Sequence, residues 1–234
     1  GIDLTGLMVH LGRHSAEPAV WRKAAMAFGK TVTELCKAWA PWRPKALDIG
    51  GGFPAPRDPT HPERSPAPAI GRYAEVVCSA LRETLEPESI ALQIEPGRSL
   101  FADAGIHLSR VRHVKEGPYT WVEIDTTEMF LPDLMIEHAY FRPVFASRAD
   151  APTERTVQIV GISCGFDLIA RDVEAPRVDV GDTIAFLDTG AYQDAAATNF
   201  NVLARPGTVL VSGSDARMVK RHETIDDVLA RDLG

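Results

Sequence analysis

The sequence predicts an α/β unit over residues 1–105 followed by a mostly antiparallel β unit over residues 106–234. Three observations predict it. Short apolar runs alternate with helical stripes as far as about residue 100, a pattern that gives parallel strands with helices outside. Beyond Gly105 the apolar residues alternate singly, and turn pairs such as Gly117-Pro118 and Gly181-Asp182 separate the runs, as in a β-sandwich or small barrel. A chain of 234 residues with 45% hydrophobic content can bury a core in one or two domains.

Residues 6–10 (Gly-Leu-Met-Val-His) read as a buried strand ending in polar residues. Ser15 then offers an N-cap, and Pro18 falls in the first turn of a helix, where its missing N–H costs little. Trp21, Ala24, Ala25, Phe28, Val32, Leu35, Cys36 and Trp39 follow at helical spacing, which makes one buried stripe. Pro41 and Pro44 end it. Residues 46–49 are the next strand, and residues 54–68 a long loop rich in proline and charge. Ile70, Tyr73, Ala74, Val77, Cys78, Leu81 and Leu85 mark a second helix, closed by Pro87, before a strand at 90–94. In the second half, strands are predicted at 106–115, 120–125, 156–161, 183–187 and 208–211, with a short helix at 224–231.

Composition excludes several classes. A net charge of −7 without a basic tract argues against a nucleic-acid binder. No run of about 18 apolar residues is present, so no membrane span is expected. The start shows no basic-then-apolar leader, and a cytoplasmic location is expected. Opening on Gly1 rather than Met fits a fragment or a processed chain. Cys36, Cys78 and Cys164 are odd in number with no pair at ligand spacing, so neither a disulfide framework nor a metal site is expected. Cys36 and Cys78 fall on the helical stripes and read as inert core thiols.

The most informative stretch is Leu47-Asp48-Ile49-Gly50-Gly51-Gly52-Phe53-Pro54. Three side chains are missing where a strand ends, so backbone N–H groups can turn closely onto a bound group. A phosphate is one candidate, and a tight turn the other. Ile94-Glu95-Pro96-Gly97-Arg98-Ser99 also closes a strand and holds one anionic and one cationic side chain. In parallel α/β folds chemistry gathers at the C-terminal ends of strands. His10, Gly50 to Gly52 and Glu95 to Arg98 all fall there.

These pieces resemble the fold-type-III pyridoxal-phosphate-dependent amino-acid decarboxylases, the ornithine/diaminopimelate/arginine decarboxylase family. The match runs in order through His10-Leu11-Gly12, residues 47–54, Glu95-Pro96-Gly97-Arg98, Cys164, Gly190-Ala191-Tyr192 and Asn199-Phe200-Asn201. The tail Lys220-Arg221-His222-Glu223-Thr224 and the run 95–100 followed by Ala104-Gly105 are similar to the diaminopimelate branch.

The resemblance implies the C-terminal part of a (β/α)8 TIM-like barrel followed by a β domain, with pyridoxal 5'-phosphate as cofactor. It implies that His10 lies against one face of the pyridine ring. Gly50, Gly51, Gly52 and Arg98 would hold the phosphate with help from the Tyr192 hydroxyl, and Gly97 would also touch the cofactor. Glu95 would pair with the pyridine nitrogen, keeping it protonated as an electron sink. Cys164 would return a proton to the reacting carbon. Each has a plainer alternative: a buried histidine, a core tyrosine, a rim salt bridge between Glu95 and Arg98, a structural thiol. The resemblance further implies a homodimer in which the cysteine segment serves the partner's site.

Two departures limit the match. The family carries its cofactor on a lysine of an early barrel strand. Lys23, Lys30 and Lys37 fall on the first helix, Lys45 precedes its strand, and Lys115 and Lys220 lie in the β half. A complete barrel also needs roughly 200 or more residues. The chain therefore reads as a C-terminal part that needs an upstream segment or companion chain. The second departure is in the substrate pocket. Diaminopimelate decarboxylases carry an acid after the cysteine, where this chain has Gly165, and residues 125–133 lack the family's arginine. Arg13 stands where relatives have a small serine. This points away from diaminopimelate itself, with Arg13, Asp167, His138 and Arg142 as candidate substrate contacts. A non-catalytic relative, or another reaction on the same cofactor, remains the alternative. A dinucleotide-binding domain fits least, because no G-x-G-x-x-G opens a helix.

Overall fold

The computed structural model describes residues 1–13, 15–60, 66–85, 90–165 and 167–233, and its backbone divides into two units, Gly1–Gly105 and Ile106–Gly234. In the first, Gly6–Met8 form β1, Pro18–Ala38 α1, Ala46–Asp48 β2, Ile70–Thr84 α2 and Ala91–Gln93 β3. The strands pair in parallel in the order β1-β2-β3, with Leu7, Leu47 and Leu92 in register. A single-turn helix α3 at Arg98–Phe101 and a 3-10 turn at Ala102–Ala104 follow. Pro87 and residues 61–65 of the proline-rich loop lie outside the described residues.

Helix α1 begins differently from the sequence expectation. Glu17, not Ser15, is the residue before it, and its side chain makes no cap. Pro18 takes the first helical position, where its fixed φ suits the helix and no N–H is lost. Ser15 instead gives its carbonyl to the Trp21 indole N–H at 2.8 Å. Trp21 stacks on Phe53 with centroids 4.4 Å apart, and Tyr73 of α2 meets both rings edge-on. The Tyr73 hydroxyl donates to the Ala16 carbonyl at 2.9 Å. Burial, with Glu17 adding to it, pushes that phenol up to about 12. Ala25, Val77 and Ala80 complete this core between α1 and α2. Trp39 drops out of the stripe, because it lies past the end of α1 and is exposed. Cys36 and Cys78 are half-buried free thiols. The sheet itself is open: Leu92 and Ile94 are 40% and 46% exposed. They line an apolar pocket of about 200 Å³ with Ile49, Phe53, Tyr73 and Val77.

The second unit is built on a six-stranded sheet. Its strands are β4 (Ile106–Lys115), β5 (Thr120–Ile124), β6 (Pro143–Phe145), β7 (Arg155–Val160), β8 (Leu168–Ala175) and β9 (Thr183–Leu187), in the order β6-β9-β4-β5-β7-β8. The β5–β7 pair is parallel and the sheet's other pairings are antiparallel. The first half of β4 pairs with β9, and its second half pairs with β5 after a register shift between Val111 and His113. This turns the sheet, so the outer strands β6 and β8 approach one another and the sheet nearly closes. Val122, Ile124, Leu131, Phe141, Ile159 and Phe186 fill the inside. Thr208–Ser212 and Asp215–Lys220, β10 and β11, form a separate exposed hairpin. Short helices α4 (Asp133–Ile136), α5 (Gln193–Ala196) and α6 (Ile225–Val228) punctuate the loops. Helix α6 is shorter than predicted but starts on a reciprocal cap between Thr224 and Asp227, which satisfies two early N–H groups.

Candidate active site

Parallel pairing puts the C-terminal ends of β1, β2 and β3 on one rim. Backbone bonds lock the loops that leave it. Val9 donates to the Asp48 carbonyl at 2.9 Å, and Ile49 to the Gln93 carbonyl at 3.2 Å. Glu95 donates to the Gly50 carbonyl at 2.9 Å, and the Gly50 N–H is taken by Asp48 Oδ1 at 2.8 Å. The packing leaves no room for side chains on the triplet. A Cβ on Gly50 would lie 3.0 Å from the His10 ring, one on Gly51 would overlap the Glu95 carbonyl oxygen, and one on Gly52 would overlap that of Gly12. Gly50 and Gly52 also adopt φ of +71° and +88°, where an ordinary side chain is strained.

His10 is exposed on this rim, so it is not the buried histidine of the plainer reading. Its Nδ1 accepts from the Gly12 N–H at 3.2 Å, which assigns the ring proton of the neutral form to Nε2. Glu95 is exposed at the end of β3, and Gly97 leads into α3, whose first residue, Arg98, is buried. The Ser99 hydroxyl beside it is buried without a hydrogen-bond partner among the described residues. Arg13 is exposed, and a Cβ on Gly52 would lie 3.2 Å from its Cα. Thus the structure brings His10, Arg13, Gly50, Gly51, Gly52 and Glu95 together.

A second cluster lies within the β unit. Cys164 is exposed on the loop between β7 and β8, so it is not a buried structural thiol. The Asn201 amide donates to its sulfur at 3.2 Å. Asn201 holds a left-handed φ of +58°, which asparagine tolerates better than most residues. The loop after β5 joins this cluster: Ile162 donates to the Thr126 carbonyl and Thr198 to the Met129 carbonyl.

Asp167 is engaged by its own unit. It is 3% exposed, and its two carboxylate oxygens accept from the backbone N–H groups of Glu128 and Ser163. A carboxylate so engaged braces its own loops. His138 and Arg142 are exposed on the segment between α4 and β6. No hydrogen bond among the described residues ties either side chain to the Cys164 loop. Tyr192 is 52% exposed with φ +69° just before α5, so it is not a core tyrosine.

Sequence reasoning missed two residues here. Asn201 sits inside a recognised motif but had no role attached. Glu128 is 9% exposed, and its Oε1 lies 2.6 Å from where a Cβ on Gly165 would be. The available signal was the bare glycine after the cysteine.

Comparison with known proteins follows the same lines. The family model of the pyridoxal-dependent decarboxylase C-terminal sheet domain matches residues 20–190. The chain is 30% identical to the diaminopimelate decarboxylase of Bacillus subtilis over 99% of its own length and 53% of that protein's. It is 34% identical to the one from Actinosynnema pretiosum, over 99% and 52%. The structure of the Methanocaldococcus jannaschii diaminopimelate decarboxylase in complex with L-lysine superposes with a TM-score of 0.86 at 28% identity, covering 98% of this chain and 52% of that one. The chain spans about half the length of the curated relatives it matches.

Proposed function

This chain belongs to the pyridoxal-dependent ornithine/diaminopimelate/arginine decarboxylase family, and on that premise we propose that it is the C-terminal part of an enzyme that decarboxylates a diamino-acid-like substrate with pyridoxal 5'-phosphate. The observation that carries this reading is the rim of the first unit. Three adjacent glycines there admit no Cβ, Arg98 opens α3 after the next strand with a buried Ser99 hydroxyl beside it that has no hydrogen-bond partner among the described residues, and a carboxylate and an imidazole stand exposed close by. That set fits a phosphorylated pyridine.

When bound, pyridoxal phosphate supplies the sink for the electron pair left as carbon dioxide departs. Glu95 would keep the pyridine nitrogen protonated, because a neighbouring anion favours the cationic ring. The amides of Gly51 and Gly52 and the Arg98 guanidinium would bind the phosphate, with Gly50 and Gly97 lining the site and the Tyr192 hydroxyl as a further donor. His10, oriented through its Nδ1 by the Gly12 N–H, would lie against the ring. Cys164, its sulfur held by Asn201, would be the group that supplies a proton to the substrate. The lysine that carries the cofactor is supplied by an upstream segment or companion chain. In this unit Lys23, Lys30 and Lys37 sit on α1, and Lys45 precedes β2 at the opposite end from the rim. The same reading carries a cytoplasmic homodimer in which Cys164 of one subunit serves the rim of the other. Among the described residues no helix is long and apolar enough to cross a membrane.

Borohydride reduction of the whole protein, followed by denaturing mass spectrometry of every polypeptide, tests this. A lysine outside residues 1–234 is expected to carry the reduced pyridoxyl group. If nothing is labelled, the reading fails. Cys164→Ala is expected to lower turnover or change the product; unaltered chemistry would instead favour a non-catalytic relative.

A further inference from the structure

We propose that Gln193 is the positioning residue for Tyr192: its buried side-chain amide fixes the backbone at Tyr192 and so aims the phenol at the cofactor phosphate. The inference rests on the decarboxylase reading, which gives the Tyr192 hydroxyl its phosphate, and adds the residue that sets its direction.

The segment that leaves β9 has an unusual order of burial. Asp188, Thr189, Ala191 and Gln193 are buried, while Tyr192, the largest side chain among them, is 52% exposed. Tyr192 also holds a φ of +69°. An aromatic residue avoids that region and stays there only when its surroundings impose it. The exposed ring itself offers little burial to offset the backbone, so the constraint comes from its neighbours. Gln193 supplies it. Its amide is 4% exposed and fully engaged: Nε2 donates to the Ala191 carbonyl at 2.9 Å and to Asp133 Oδ2 at 2.8 Å, and Oε1 accepts from the Asp133 backbone N–H at 3.2 Å. Asp133 is buried too, 60 residues away in sequence, and its carbonyl accepts from the Glu137 and Ala139 N–H groups at 3.0 Å. The amide therefore ties the turn before α5 to a fixed point at the start of α4.

The tie acts on Tyr192 through the two peptides that flank it. The one before its Cα is pinned by the Gln193 amide on the Ala191 carbonyl. The one after it is pinned by the Ala196 N–H on the Tyr192 carbonyl at 2.9 Å. Two fixed peptide planes fix the φ and ψ between them, and with those angles the direction of the Cα–Cβ bond. A half-exposed ring is thereby aimed without a packed pocket of its own. With the first pin removed, Tyr192 relaxes to negative φ, and its side chain leaves from a different direction.

Titration of the whole enzyme, upstream part included and stripped of cofactor, tests this with pyridoxal phosphate and with pyridoxal, which lacks the phosphate. Tyr192→Phe is expected to weaken pyridoxal phosphate about tenfold, the loss of one hydrogen bond to a charged group, and to leave pyridoxal within about twofold. Gln193→Met keeps the side-chain length and removes the amide. It is expected to weaken pyridoxal phosphate about fivefold with the same sparing of pyridoxal. Gln193→Glu is the second variant: it sets a carboxylate against Asp133 and the Ala191 carbonyl, and the same loss is expected. Combined with Tyr192→Phe, either Gln193 variant is expected to add less than about twofold, because both changes remove one interaction. Additive losses, losses shared by pyridoxal, or unchanged affinity in the folded Gln193 variants overturn the proposal. Tyr192→Phe that binds both ligands like wild type also overturns it, whether or not the Gln193 variants fold. A whole enzyme that binds no pyridoxal phosphate overturns the decarboxylase reading itself, whereas one that binds it with additive losses overturns only the role of Gln193.

Discussion

The side-chain amide of Asn201 donates to the sulfur of Cys164 across 3.2 Å, joining segments 37 residues apart. The contact fixes the direction of a thiol on an otherwise exposed loop. A hydrogen bond of this kind contributes about 1 kcal/mol. Asn201→Ala is therefore expected to lower kcat of the whole enzyme roughly fivefold, with cofactor content unchanged. Steady-state kinetics beside an absorbance assay for released pyridoxal phosphate check both halves.

The glycine triplet gives a steric prediction. A methyl group on Gly51 would overlap the Glu95 carbonyl oxygen, so Gly51→Ala is expected to cost about 1–3 kcal/mol and to weaken cofactor retention. Gly71, in the first turn of α2, has open space around its would-be Cβ. Gly71→Ala is expected to stabilise by about 0.5 kcal/mol. Thermal denaturation of the two variants separates loop packing from a general intolerance of alanine.

His107 makes the β unit sensitive to mild acid. Its Nε2 lies 2.7 Å from Thr126 Oγ1, and burial pushes its pKa down to about 4, with Asp125 opposing. An unfolded histidine takes up its proton near pH 6.5. Stability is therefore fully present above that pH and is lost between about 6.5 and 4, where the unfolded chain binds the extra proton. His107→Gln is expected to flatten the Tm-against-pH curve in that window and to leave the curve above pH 7 with its wild-type slope.

Glu223 acts at lower pH. Its carboxylate is hydrogen-bonded by the Arg205 side chain, by the Arg205 backbone N–H at 2.8 Å and by Asn199 at 2.7 Å. Chiefly the Arg205 side-chain bond holds its pKa down at about 2. The stability it contributes is present above the ordinary carboxylate range and is lost as pH falls towards 2. Acid unfolding of Glu223→Gln is expected to show a shallower slope between about pH 4.5 and 2, by at most about one proton.

Much of the architecture is legible in the residues. The helical stripe of α2 survives because the element buries one face along its length, whereas in β4 Ser109 and Val111 are buried and the apolar Ile106 and Leu108 are exposed. Strand β8 is harder to see. Its burial breaks in the middle, where Asp172 takes a left-handed φ of +49° and the register with β7 shifts. Strand β6 is three residues long and begins on a proline, and β11 is exposed throughout. The first is too short to show a period, and the second buries no face. In the candidate site, the rim of the first unit follows from strand order alone. The role of Asp167 does not, because a charged residue near a reactive cysteine looks chemical until its hydrogen bonds are counted. The closeness of Glu128 to Gly165 is a tertiary fact that no local pattern encodes.

The parallel sheet of the first unit runs β1-β2-β3 and, among the described residues, has two open margins. The side chains on the β3 margin are apolar and wet. Rolling such a sheet into a barrel demands a complement that grips both margins at once, as a clasp closes a bracelet. A complement docked on one side alone would leave the other exposed. Assembly of this half with its complement is therefore expected to be all-or-none, and loss of either seam to release the other.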